Sequence, residues 1–121
     1  MSVDVHDFEL TGIRVERDSG VVVSLFDGSV SQGFDLGFRR VKRIVVDGFA
    51  MQNIVFELKI FSKREASFEF QRCCFLLGID SSNPREIDDG DSMVFIEASV
   101  GAEVALLMDG AWEGGELSAK M

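Results

Sequence analysis

The sequence predicts an all-β fold, an antiparallel β-sandwich or flattened barrel of about eight short strands. Three observations point there. Short apolar runs are cut, at intervals of about ten residues, by clusters of Gly, Asp, Ser and Asn, the residues that make turns. Several of these runs alternate apolar and polar side chains with period two, the repeat of a strand with one buried face. Pro84 is the only proline and nothing recurs at a period of about 20–50 residues, which argues against a solenoid or a Pro-rich linker.

Taken in order, residues 8–17 form the first strand. Phe8 and Leu10 share one parity and Ile13 and Val15 the other, so the switch at Thr11 and Gly12 implies a bulge at Gly12. Asp18, Ser19 and Gly20 turn the chain into residues 21–26, β-branched enough for a second strand, which Asp27, Gly28 and Ser29 end. In residues 32–38, Phe34, Leu36 and Phe38 alternate with Gly33, Asp35 and Gly37. Residues 39–47 read as a fourth strand on the run Ile44, Val45 and Val46, closed by Asp47 and Gly48. The clearest alternation is 53–61, where Ile54, Phe56, Leu58 and Ile60 share one face. After a short connection, Phe68, Phe70, Cys74 and Leu76 share a parity broken by Arg72, so 67–77 reads as the returning strand of a hairpin. On that reading Phe56→Ala costs about 3–5 kcal/mol, and Glu57→Ala on the opposite face costs little. Residues 78–92 carry the longest run of loop chemistry. Residues 93–100 resume alternation, and Gly101 and Ala102 return the chain into 103–108. The whole, residues 1–121, reads as one domain whose tail is expected to fray from about 113.

Composition sets the class. Of the 121 residues 46% are apolar and 27% charged, the ordinary globular range. Apolar runs such as Ile44 to Val46 and Ala105 to Met108 are only a few residues long and fall far short of the roughly 18 residues that span a bilayer. Residues 1–10 hold Asp4, Asp7 and Glu9 in place of a basic and then apolar leader, so a cytoplasmic location is expected. Net charge is −9, unevenly spread: up to Gly78 ten Lys/Arg face eleven Asp/Glu, whereas from Ile79 onward two face ten. Such a field repels phosphate backbones, which argues against nucleic acid, and steers basic partners. The basic cluster Arg39, Arg40, Lys42 and Arg43 reads as a solvated face or an intramolecular match for the acidic third.

Catalytic chemistry finds little material. GxSxG, GxxxxGK[ST], HExxH and GxGxxG are all absent, there is no tyrosine, and His6 is the one histidine. On a strand His6 and Asp7 face opposite sides, so an Asp-oriented histidine is not implied. Cys73 and Cys74 are adjacent, cannot easily form a disulfide with each other, and belong to no CxxC or Cys/His cluster; they read as buried structural residues. The acidic loop is the best place for a hard cation, yet as an EF-hand loop from Asp80 it has Arg85 where glycine is required and Asp91 where glutamate is. No metal or cofactor is therefore assigned. Trp112, flanked by Ala111 and Glu113, reads either as packing back over the sheet or as a binding anchor.

The first half also carries a resemblance. His6, Asp7 and Leu10 at the opening strand, Phe38 and Val41 after a turn, and Gln52, Asn53, Ile54 and Val55 entering the clearest strand resemble a group of small bacterial β-rich proteins, some classed as immunity proteins of polymorphic toxin systems. The likeness covers residues 6–60 and implies a non-enzymatic all-β domain that neutralises a toxin by binding it. The functional expectation is thus a binding protein, not an enzyme, that docks a basic protein through Asp80, Glu86, Asp88, Asp89, Asp91, Trp112 and Glu113. The alternative is a small-ligand or Ca²⁺ site in the 80–91 loop. Open sheet edges make a homodimer a further expectation.

Overall fold

The computed structural model describes residues 2–112 and 118–119. Among these described residues nine strands and a helix follow one another: β1 (Ser2–Val3), β2 (Glu9–Val15), β3 (Val21–Asp27), β4 (Gln32–Phe38), β5 (Val41–Asp47), β6 (Ile54–Phe61), α1 (Phe68–Leu77), β7 (Ser92–Val100), β8 (Glu103–Met108) and β9 (Ser118–Ala119). Every pairing is antiparallel, in the order β5-β8-β7-β6-β2-β3-β4-β9, with β1 beside β6. A single pair, Glu9 with Ile54, joins β6 to β2. Val23, Leu25, Leu36 and Phe38 from one side of that joint share a buried cluster with Leu58, Ile96, Val104 and Leu106 from the other, so the two halves of the sheet face each other. This is the antiparallel sandwich or flattened barrel that the strand periodicity predicts. No helix among the described residues is long and apolar enough to cross a membrane.

Residues 67–77 are the main departure. They form a helix, not the second strand of a hairpin; the neighbour of β6 in the sheet is β7. Phe70, Cys73, Cys74 and Leu77, spaced at helical period, are the buried positions. Two local signals fix the ends. The Ser67 hydroxyl accepts the Phe70 N–H as an N-cap, and Gly78 takes the left-handed conformation at φ 74°, its N–H returning to the carbonyls of Cys74 and Phe75. The alternation seen in the sequence was a coincidence of parity, and Arg72 is where it broke.

The helix covers the outer face of the β5–β8 half, which makes β7 and β8 two-sided. Val94 and Ile96 point into the sandwich, while Met93 and Phe95 join Phe61, Phe70, Cys73 and Leu77 beneath the helix. The bulge expected at Gly12 is present, since Leu10 pairs with Leu25 and Gly12 with Ser24, leaving Thr11 unpaired. A second bulge, unexpected, sits in β6. Val55 pairs with Ala98 and Glu57 with Glu97, so Phe56 is the extra residue and is 45% exposed while Val55 takes the inner position.

At the end of the sheet where β5 leads into β6, buried Asn53 ties the corner. Its Oδ1 accepts the N–H groups of Ala50 (2.9 Å) and Ala102 (3.0 Å), and its Nδ2 donates to the Ala50 carbonyl (2.8 Å). Gly101, at φ 85°, passes so close that a Cβ there would lie 2.4 Å from Asn53 Oδ1.

Candidate binding surface

The acidic loop folds back onto the basic strand. Lys42 Nζ donates to Asp88 and Asp91, 2.9 Å to each, and Arg43 reaches Glu86 at 2.9 Å and also donates to the Leu77 carbonyl. A bulge in β5 makes this possible, because Val41 and Arg43 pair with consecutive residues of β8 and Lys42 is left over. With strict alternation the neighbours Lys42 and Arg43 would face opposite sides of the sheet, whereas the bulge lets both serve the loop. Of the acids from Ile79 onward, Glu86, Asp88, Asp91 and Glu103 are ion-paired within the chain.

These internal contacts decide which of the expected docking residues can reach a partner. The Asp91 side chain is 1% exposed, accepts the Asp88 N–H (2.9 Å) and holds Lys42; contrary to expectation it builds the loop and has no surface to offer a partner. Asp80 accepts from the Ser82 hydroxyl (2.7 Å) and N–H (3.0 Å), which lowers its pKa and leaves it on the surface. Glu86, Asp88 and Asp89 are exposed. Trp112 is buried against Phe38, its indole N–H donating to the Gly37 carbonyl (3.1 Å), so it packs over the sheet and offers no anchor. Glu113 lies outside the described residues, as does most of the tail expected to fray, though within it Ser118–Ala119 pair with β4. Nor does the loop present an open calcium site, since the Lys42 ammonium occupies the cation position between Asp88 and Asp91.

A different acidic surface emerges from the sheet register. Asp47 is paired with Glu103 and Glu57 with Glu97. The ladder of β7 and β8, ending at Ile96 with Val104, brings Glu97 and Glu103 together. Four carboxylates thus cross the sheet in one row, on the face that carries α1. Glu69 of α1 adds a fifth, and the carboxylate oxygens of Glu57, Glu69 and Glu97 lie within 4.8 Å of one another. Two cations answer them: Arg72, 2.6 Å from Glu103 and 3.9 Å from Asp47, and Lys59, 3.8 Å from Glu69. Partial burial, and then the charges of Glu69, Glu57 and Glu103, raise the pKa of Glu97 against the smaller opposing effect of Lys59. Beside this row α1 exposes two aromatic side chains seven residues apart, Phe68 at 69% and Phe75 at 70%, with the Arg72 guanidinium 5.3 Å from the Phe75 ring. Chemically the face offers acceptors for ammonium, guanidinium or a hard divalent ion, next to apolar contact area. Sequence reading missed it because its carboxylates come from four strands and a helix.

The remaining reactive groups do not assemble. His6 and Asp7 lie in a turn, not on a strand, and Asp7 has left-handed backbone at φ 66°. The two side chains therefore do approach, with His6 Nε2 3.5 Å from Asp7 Oδ1, contrary to the expectation from alternation. His6 Nδ1 lies 2.8 Å from the Phe56 carbonyl oxygen, and the imidazole stands edge-on to the Phe56 ring, exposed. Both cysteines are free and buried, and burial pushes each thiol pKa up, away from the reactive thiolate.

Fold and surface together define an antiparallel β domain with one helix laid on an acidic, aromatic-bearing outer face. No family model matches the chain, and no curated protein or solved structure does either.

Proposed function

We propose that this chain is a non-catalytic binding domain that docks a basic, partly apolar segment of a partner protein on the face formed by α1 and β5–β8. The observation that carries the reading is the row of five carboxylates, Asp47, Glu57, Glu69, Glu97 and Glu103, answered among the described residues by Arg72 and Lys59 and bordered by exposed Phe68 and Phe75. Like charges opposite one another on a sheet destabilise it, so a partner's cations relieve a strain built into the free protein. The uncompensated charge speeds encounter, and the phenyl rings supply residence by excluding water from the contact. Asp80, Glu86, Asp88 and Asp89 add to the steering field from the neighbouring loop. The likeness of residues 6–60 to immunity-type proteins supports a basic toxin domain as the partner. Fluorescence anisotropy with a labelled synthetic peptide of alternating Lys and Leu tests the reading. The peptide should bind, weaken as salt rises, and lose about tenfold in affinity against either Glu57→Gln/Glu97→Gln or Phe68→Ala/Phe75→Ala. Equal affinity for those variants, or for a Glu/Leu peptide, contradicts it.

A homodimer is a second reading, supported by β5 as the terminal strand of the sheet and by Phe49, Met51 and Val100, exposed where β5 leads into β6. Sedimentation at micromolar concentration decides it, since a monomer alone removes the reading.

A further inference from the structure

We infer that the cavity beneath the acidic loop binds a small zwitterion with an apolar side chain, the class of the apolar α-amino acids. The cavity measures about 230 Å³. That is below the roughly 300–1,000 Å³ of sites for drug-sized ligands, which restricts the occupant to a small metabolite. Its inner lining is Phe61, Phe70 and Met93, all buried residues of the cluster under α1, with Ile87 contributed by the loop. An apolar group is therefore what fits the interior.

The charged lining sets the other end of the ligand. Lys63 and Arg64 come from the segment after β6, and Asp88, Asp89 and Asp91 from the loop. Asp88 and Asp91 share Lys42, whereas no described residue pairs with Lys63, Arg64 or Asp89. The lining thus sets two positive side chains, Lys63 and Arg64, against three negative ones, and Lys42, outside the lining, offsets one charge of the Asp88 and Asp91 pair. A ligand of a single charge meets as much repulsion as attraction there, while one that carries an ammonium and a carboxylate finds an unpaired partner for each. The wall is formed before any ligand arrives: the buried Asp91 carboxylate takes the Asp88 N–H and the Lys42 ammonium, and Arg43 fastens Glu86. A site held open in this way loses little freedom on binding. None of Asp47, Glu57, Glu69, Glu97 and Glu103 lines this cavity, so it is separate from the proposed docking face.

A methyl-detected NMR titration of the full chain tests it, with L-leucine, 3-methylbutylamine and 4-methylpentanoate as probes and the Met93 methyl signal assigned through Met93→Leu. L-leucine should shift that signal saturably in the millimolar range and bind at least about tenfold more tightly than the amine or the acid. Asp89→Asn and Arg64→Gln should each weaken L-leucine by about tenfold. Equal binding of the amine or of the acid overturns the assignment, as does an unmoved Met93 signal or an affinity indifferent to both substitutions.

Discussion

Phe56 and Leu58 sit two residues apart, and on an unbroken strand they would share a face. The bulge at Phe56 separates them, leaving one ring against His6 at the surface and the other side chain fully buried. Leu58→Ala should therefore cost about 2–5 kcal/mol in urea unfolding, and Phe56→Ala about 1 kcal/mol or less. The alternation of 54–60 shows a strand but hides the extra residue, because Ile54, Val55 and Phe56 are all apolar and the change of face at Val55 leaves no mark, unlike the switch at Gly12. Glu97 gives a pH-dependent prediction. Its pKa is raised in the folded protein, so its ionisation there is harder than in the unfolded chain. Folding is favoured while the group is protonated, and that contribution is lost as pH rises through the folded pKa. Glu97→Gln should accordingly raise the urea midpoint at pH 7, with the gain fading below about pH 4, where the carboxylate is protonated in both states. A lower midpoint at pH 7 would show that Glu97 makes a favourable contact outweighing its acidic neighbours.

Among the elements, the seven longer strands are legible because apolar runs, turn clusters and β-branched content agree along each of them. α1 is not, because Phe68, Phe70, Cys74 and Leu76 also satisfy period two; only the spacing of Phe70, Cys73, Cys74 and Leu77, together with Ser67 and Gly78, favours the helix. Ser67→Ala removes the cap of the Phe70 N–H and should cost about 1 kcal/mol, whereas Ser67→Asp should be nearly neutral. Equal losses for the two would mean that the hydroxyl does not cap the helix. The carboxylate row is hidden for the same reason, since Glu69 on a strand would have no reason to meet Glu57 and Glu97.

Over the whole molecule, the separation of a balanced first part from an acidic last third is a property of the chain that the fold partly cancels. Lys42, Arg43 and Arg72 from the first part ion-pair with Asp88, Asp91, Glu86 and Glu103 from the last. An intramolecular match for the basic cluster was readable from composition; its partners were not, because the bulge at Lys42 decides them. Lys42→Met should leave the buried Asp91 carboxylate without its cation, and hydrogen exchange in 84–91 should accelerate while that of β2 and β3 stays unchanged. Uniform protection in the variant would show that the loop is held by its apolar residues alone. The proposed docking face and the acidic loop are both candidates for a basic ligand, and amide chemical-shift mapping with the Lys/Leu peptide separates them most directly. Shifts should concentrate at Glu57, Glu69, Phe75 and Glu97; shifts confined to 80–91, with α1 and β6 undisturbed, would show that the peptide binds the loop and not the α1 face.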